Sequence, residues 1–192
     1  SRQRRKNVEK IQQRRWKRKI GRMLRLVLLD QPHVTLDGKV INGFRTRKAE
    51  ALLYYLAVKK GVHNRERLAG LLWSDMPDQK ARKNLRDVLS NLRKLLNDYL
   101  VVTRQSIAFN QSMDYWLDVD VFQTSLNKDE THSQVTAWQT AVDFYKDDFL
   151  SSFSIRGAPI FDEWALGQRE LLRELLILGL QKLAEAYICL LY

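Results

Sequence analysis

The sequence predicts a mostly α-helical protein with small β elements, in which a mixed first part is followed by an all-helical second part. Apolar residues alternate with polar ones near residues 24–41 and 100–110, as expected of half-buried strands. Elsewhere the apolar residues recur at helical spacing, and after residue 114 only helices are predicted. A chain of 192 residues is long enough for one or two domains, each with a hydrophobic core.

The first predicted element is a small antiparallel sheet over residues 24–41. Alternation begins at Leu24, is interrupted at Pro32 and then resumes. The pair Asp37-Gly38 predicts a tight hairpin turn, because a type I′ turn requires positive φ at both central residues.

Three helices are predicted next. The first runs from Arg45 to Lys60 and is ended by Gly61. The second has Asn64 as its N-cap and runs through Trp73. The third opens with Pro77 in its first turn and extends to about Leu96, which corresponds to roughly 30 Å.

A short hairpin is predicted over Leu100–Asn110, with strands at Val101–Thr103 and Ile107–Phe109 joined by the turn Arg104–Ser106. An N-terminal sheet, three helices and a C-terminal hairpin, in this order, describe a winged helix in which the hairpin is the wing.

The second part of the chain is predicted to be helical. The run Leu175–Leu180 is apolar nearly all round and is therefore predicted to be buried. The chain ends inside this apolar pattern, which is expected of a fragment of a longer protein. The predicted segments are a short helix around Val121–Leu126, a helix over Val135–Tyr145, a loop from Lys146 to Gly157 and a long helix from Pro159 onward.

Charge is distributed unevenly within a formal net charge of +11. Residues 1–22 carry eleven basic residues and one acidic residue, residues 44–98 have a net charge of +7, and residues 114–192 have a net charge of −7. A basic part joined to an acidic part suggests a polyanion-binding module attached to a second function. The leader, residues 1–22, is either a flexible tail, or a basic helix that contacts phosphate or an anionic membrane surface, or by itself a source of nonspecific nucleic-acid affinity.

Several classes of protein are disfavoured. No phosphate-binding loop, nucleophile elbow or zinc-protease motif is present, so an enzyme is not predicted. One cysteine and three scattered histidines do not provide a zinc cluster, and no metal or other cofactor is predicted. The single cysteine, the lack of a long apolar run and the lack of a signal-peptide pattern predict a cytoplasmic protein without a membrane span.

The third helix is the candidate nucleic-acid reader. Its apolar residues fall in one sector of a helical wheel, and basic and polar residues cover the other. Arg, Lys, Ser and Asn bond to phosphates and base edges, and a helix fits the major groove. For a lone helix, a basic and polar face of this kind is more commonly the solvent-exposed side of an ordinary amphipathic helix than a DNA-binding surface. The candidate DNA-contacting residues on this helix are Arg82, Lys83, Arg86, Asp87, Ser90, Asn91, Arg93 and Lys94.

Neighbouring residues favour DNA binding. Asn64 and Arg65 lie at the start of the second helix, where backbone N–H groups, the helix dipole and charge favour a phosphate. Arg104 at the wing tip would reach the adjacent groove or backbone, or is simply a polar turn residue. Asp87 would accept from a cytosine amino group or would repel phosphate.

In their order along the chain, these segments resemble the SARP-type transcriptional regulators, which join an OmpR-like winged helix to a bacterial transcriptional activation domain. The resemblance covers about residues 24–190. It rests on Leu24-Arg25-Leu26-Val27-Leu28-Leu29, Val34-Thr35-Leu36-Asp37-Gly38-Lys39, Arg47-Lys48-Ala49, Arg65-Glu66-Arg67-Leu68-Ala69, Ala81-Arg82-Lys83-Asn84-Leu85-Arg86, Leu89-Ser90-Asn91-Leu92-Arg93-Lys94, Leu117-Asp118-Val119-Asp120-Val121-Phe122 and Tyr145-Lys146-Asp147-Asp148-Phe149-Leu150.

The resemblance implies binding to double-stranded promoter DNA, usually at direct repeats, possible self-association on DNA and recruitment of RNA polymerase. It implies a DNA-binding domain over 23–113 and a truncated, tetratricopeptide-like activation domain over 114–192, and it does not extend to the basic leader over 1–22. The wing turn departs from the pattern because it lacks the usual glycine. The alternative function is a protein-interaction or oligomerisation module whose winged helix does not read DNA.

Overall fold

The computed structural model describes residues 22–127 and 134–191. The alternatives for the leader therefore concern a segment that lies almost entirely outside the described residues.

In chain order the elements are β1 (Leu24–Val27), β2 (His33–Leu36), β3 (Lys39–Val40), α1 (Arg47–Lys59), β4 (Val62–Asn64), α2 (Arg65–Trp73), α3 (Asp78–Leu96), a 3₁₀ turn (Asn97–Tyr99), β5 (Leu100–Val102), β6 (Ser106–Phe109), β7 (Tyr115–Leu117), α4 (Asp118–Leu126), α5 (Gln134–Phe144) and α6 (Pro159–Leu191).

The N-terminal sheet has the strand order β3-β2-β1-β7. The turn between β2 and β3 has φ of 53° at Asp37 and 75° at Gly38, which confirms the predicted pair of positive-φ residues. Strand β7 pairs in parallel with β1, with Tyr115 opposite Leu24. The prediction that only helices follow residue 114 is therefore wrong, because Tyr115–Leu117 completes the first sheet.

A second sheet has the order β4-β6-β5 and contains the wing, β5 and β6. Strand β4 was not predicted, because three residues are too few for a recognisable alternation. It pairs with β6, which places Asn64, the residue before α2, opposite Ser106 at the end of the wing turn. The start of α2 is therefore fixed to the wing by backbone hydrogen bonds.

One continuous core joins the two parts of the chain. The carboxylate of Asp118 is buried: Oδ2 accepts the backbone N–H groups of Leu28 (2.6 Å) and Leu29 (2.8 Å), and Oδ1 accepts that of Val119 (2.8 Å). Burial raises the pKa of Asp118, and the three N–H donors oppose that rise. The residue at the start of α4 thus holds the backbone that leaves β1.

An aromatic cluster attaches α6 to the helices of the first part. The ring of Trp164 packs edge-on against Tyr55 of α1, with centroids 4.8 Å apart, and also contacts Phe149 and Phe161. Lys48 donates to the carbonyl oxygens of Leu72 (2.6 Å) and Gly157 (3.0 Å), and burial lowers its pKa. These contacts fix α6 against α1 and α2.

The outer side of α6 is exposed, whereas the sequence predicted that it is buried. Ile177, Leu178 and Leu180 are 55%, 52% and 46% exposed, although the apolar run from 175 to 180 predicted burial. The contacts of α6 with α4 and α5 cover only one side of the helix, including Leu172 and Leu183. Within residues 22–127 and 134–191, no helix is long and apolar enough to cross a membrane.

Replacement of Asp118 by alanine should destabilise the protein. The change leaves three N–H groups without an acceptor, and we expect it to lower the free energy of unfolding by about 3 kcal/mol. Urea unfolding at pH 7 measures the loss. The control is Glu185→Ala at an exposed position of α6; equal losses in the two variants would contradict the role of Asp118.

The raised pKa of Asp118 predicts a pH dependence of stability. Because the folded pKa lies above the unfolded value of about 3.9, the folded state keeps a proton that the unfolded chain releases. The stabilisation that the protonated Asp118 carboxyl provides is complete below the unfolded pKa, and it decreases as the pH rises through the folded pKa. The stability of the wild type relative to Asp118→Asn should therefore decrease from pH 4 to pH 7 in urea unfolding. A constant or rising difference would contradict this.

Candidate nucleic-acid interface

Helix α3 separates into a core face and a solvent face. The predicted apolar sector is confirmed, because each of its residues is buried. Its members are Ala81, Leu85, Val88, Leu89, Leu92 and Leu96. Seven of the eight predicted contact residues on this helix are exposed, namely Arg82, Lys83, Arg86, Asp87, Ser90, Arg93 and Lys94. Short polar and long basic side chains therefore cover one side of a rigid, 19-residue helix.

Asn91 is the exception, and the structure removes it from the candidate surface. It is only 5% exposed. Its Oδ1 accepts the N–H of Arg45 at 3.0 Å, and its Nδ2 donates to the carbonyl of Gly43 at 3.1 Å. The side chain thus binds the segment that leads into α1 and has no free group for a base edge.

The wing turn closes without glycine. The hydroxyl Oγ1 of Thr103 accepts the N–H groups of Ser106 (2.9 Å) and Gln105 (3.3 Å), and Thr103 N–H donates to the Ser106 carbonyl at 2.9 Å. Neither Arg104 nor Gln105 has a positive φ, so no position in this turn requires glycine. A threonine side chain provides the turn-closing acceptor here.

The start of α2 contacts the wing directly. The Arg65 N–H donates to the Gln105 carbonyl at 3.1 Å, and the Glu66 N–H donates to Asn64 Oδ1 at 2.7 Å. The prediction that Asn64 is an N-cap is confirmed. These two N–H groups are already bonded within the protein, so a phosphate at this helix start would depend mainly on the Arg65 side chain.

Three open grooves run along the solvent face of α3, and Arg86 lines all of them. The wing groove, between α2, α3 and the wing, has a volume of about 560 Å³ and is lined by Asn64, Arg65, Glu66, Arg82, Leu85, Arg86, Arg104 and Gln105. The C-terminal groove, about 460 Å³, is lined by Arg65, Arg86, Leu89, Ser90, Arg93, Lys94, Asn97 and Val102. The N-terminal groove, about 640 Å³, is lined by Pro77, Gln79, Lys80, Arg82, Lys83 and Arg86.

Most of the basic groups along these grooves have no acidic partner. In the described part of the chain, no carboxylate lies within 4.0 Å of a charged nitrogen of Lys83, Arg86 or Lys94. Arg82 is different, because its Nη2 lies 2.8 Å from Oε1 of Glu66. The surface is therefore available to an external anion over most of its length.

The structure brings together predicted residues from three elements. Arg65 of α2, Arg86 of α3 and Arg104 of the wing line the same groove. Asp87 is exposed on α3 but lines none of the three grooves. Lys80, which was not predicted from the sequence, also lines the N-terminal groove. Its position three residues before Lys83, on the same side of the helix, was the available signal.

Replacement of Asn91 by alanine should reduce stability, because it leaves buried backbone groups at Arg45 and Gly43 without partners. We expect a loss of about 1–3 kcal/mol in the free energy of unfolding, measured in urea. The exposed neighbour Ser90→Ala serves as control and should change stability by less than about 0.5 kcal/mol. If Asn91→Ala were as stable as Ser90→Ala, the structural assignment of Asn91 would be wrong.

No protein-family model matches the chain, and no curated protein matches it. Among solved structures, EmbR of Mycobacterium tuberculosis, determined in complex with a low-affinity phosphopeptide, is similar with a TM-score of 0.65 and 19% sequence identity. The match covers 88% of this chain and 46% of the EmbR chain, so this chain spans about half the length of EmbR.

At 19% sequence identity the similarity concerns the fold, and it agrees with the mostly helical fold with small sheets that the sequence predicts. The match extends over most of the chain, so it includes residues of both the first and the second part.

Proposed function

We propose that this protein binds double-stranded DNA in a sequence-specific manner and regulates transcription. The observation that carries the proposal is the exposed basic face of α3, which is flanked by the wing and by the start of α2. The SARP-like fold supports it, because a winged helix presents its third helix to the major groove.

Helix α3 has the dimensions and chemistry of a major-groove reader. Its 19 residues span about 28 Å, and the major groove, about 12 Å wide, admits one α-helix. Only one side of α3 is free, since the opposite side is buried in the core. The orientation of the helix on DNA is therefore restricted to insertion with Arg86 and Ser90 towards the bases.

Arg86 is the best candidate for a base contact. It lies at the middle of α3, lines all three grooves and has no acidic partner in the described part of the chain. Its guanidinium can donate two hydrogen bonds to guanine O6 and N7. Lys83 and Ser90, one turn to either side, would contact neighbouring base pairs.

The remaining basic residues are assigned to the phosphate backbone. Arg93 and Lys94 line the C-terminal groove, Arg104 lines the wing groove, and Arg65 lines both. Basic groups around a base-contacting helix suit the phosphates that border a major groove. These contacts would fix the register of α3 and make binding dependent on salt.

Transcription activation is the second component of the proposal. We assign residues 23–113 to DNA binding and residues 114–192 to the N-terminal part of a tetratricopeptide-like activation domain, with β7 of the second segment completing the sheet of the first. RNA polymerase is the proposed partner of the second part. The acidic charge of residues 114–192 would keep that part away from DNA phosphates.

The first experiment selects a DNA site from a random duplex library with the full chain and with a chain that starts at Met23. Arg86→Ala and Arg86→Lys should each weaken binding to the selected site by about 1–3 kcal/mol and change unrelated duplexes little, because lysine keeps the charge but loses the two-pronged geometry. Lys94→Ala should weaken all duplexes similarly and reduce the salt slope by about 1. Affinity is measured by fluorescence anisotropy across a salt series.

Arg156→Ala, exposed in the second part and outside the grooves, is the control and should bind like the wild type. If neither Arg86 nor Lys94 affects DNA binding, the interaction-module alternative is favoured. Unselective binding that requires residues 1–22 would assign DNA affinity to the leader rather than to α3.

A further inference from the structure

The wing groove contains one carboxylate among its arginines. Four guanidinium groups line it, from Arg65, Arg82, Arg86 and Arg104, together with the side chain of Glu66. Glu66 is the only acidic residue among those that line the three grooves of α3. A negative charge at this position opposes the phosphate binding that the other groups favour.

Glu66 is paired with one of these arginines rather than free. Its Oε1 lies 2.8 Å from Nη2 of Arg82, and the two side chains are 67% and 55% exposed. The pair joins the first turn of α2 to the second turn of α3. Arg82 also lines the N-terminal groove, where no carboxylate is present. Glu66 therefore holds a cation that borders two of the three grooves.

The location of Glu66 at a helix start does not account for this pairing. A carboxylate in the first turn interacts favourably with the helix dipole wherever it points. The N-cap function at this end belongs to Asn64, which accepts the Glu66 N–H at 2.7 Å. The contact with Arg82 is an additional interaction, and a phosphate that binds Arg82 must compete with it.

We propose that Glu66 is an internal counter-anion for Arg82 that restrains phosphate binding in the wing groove, a role that rests on the DNA-binding function proposed above. DNA displaces the carboxylate from Arg82 and must also tolerate its charge. The restraint lowers the affinity for every duplex, so that base contacts from α3 make up a larger share of the binding free energy. The restraint is electrostatic and weakens as salt shortens the Debye length.

The test uses four full-chain variants and a 20-base-pair duplex of mixed sequence. Glu66→Gln should bind about two- to fivefold more tightly than the wild type at 50 mM salt, and the gain should shrink at 300 mM salt. Glu163→Gln makes the same chemical change at an exposed position near the start of α6, outside the grooves, and should change affinity less. The variants Arg82→Gln and Glu66→Gln/Arg82→Gln complete a double-mutant cycle.

The cycle tests whether Glu66 acts through Arg82. The gain from Glu66→Gln should be clearly smaller when Arg82 is already glutamine, because no pair is then left to break and only the charge of Glu66 remains to be removed. An equal gain with and without Arg82 would mean simple repulsion of phosphate and would overturn the counter-anion role. Weaker binding of Glu66→Gln would mean that Glu66 positions Arg82 for DNA, and would also overturn it.

A second readout separates this inference from the proposed function. Salt elution from immobilised heparin, a polyanion that is not DNA, should occur at higher salt for Glu66→Gln than for Glu163→Gln. If the wild type does not bind duplex DNA, the proposed function fails, and the heparin result alone decides the role of Glu66. Equal elution of the two variants would overturn it. Thermal unfolding verifies that α2 remains folded in each variant.

Discussion

The hydrogen bonds of Leu28 and Leu29 determine how the two parts of the chain meet. These two residues directly follow the end of β1, and both of their N–H groups donate to Asp118 at the start of α4. Their carbonyl groups accept from the loop that follows α5: Leu29 from Lys146 and Asp147, and Leu28 from Leu150. Backbone groups beyond a strand end would otherwise need water, so the second part completes the first by supplying both donors and acceptors. If the two parts separated, all of these backbone groups would lose their hydrogen-bond partners.

This attachment determines which surfaces stay free. The loop before α6 and the start of α6 pack against α1 and α2, through Trp164, Tyr55 and the Lys48 hydrogen bonds. The opposite end of α2 is attached to the wing. Helix α2 is thus held at both ends, and α3 packs against it. None of the residues that line the three grooves comes from the second part. The acidic second part therefore leaves the basic grooves open.

Signals from neighbouring residues predicted the elements that carry this surface. The strands that were not predicted depend on pairing with strands that are distant in the sequence. The 19-residue helix α3, the Asp37-Gly38 turn and the Asn64 cap depend on neighbouring residues, and each was predictable. Strands β4 and β7 have three residues each and exist through distant partners, β6 and β1. Asn91 lies at the border of the helical wheel, where only the distant backbone of Gly43 and Arg45 decides that it is buried.

The geometry of the wing groove was less predictable than its residues, because its rigidity comes from side chains that carry no charge. Thr103 closes the wing turn, and Asn64 caps α2, while the Arg65 N–H joins these two turns through Gln105. Arg65 and Arg104 therefore start from backbones that are held in place, and only their side chains must be ordered on binding an anion. Fixing a flexible side chain costs about 0.5–1.5 kcal/mol, whereas ordering a flexible loop adds a cost for each residue. Neutral capping residues thus prepare this groove for a polyanion by holding the backbones that carry its arginines.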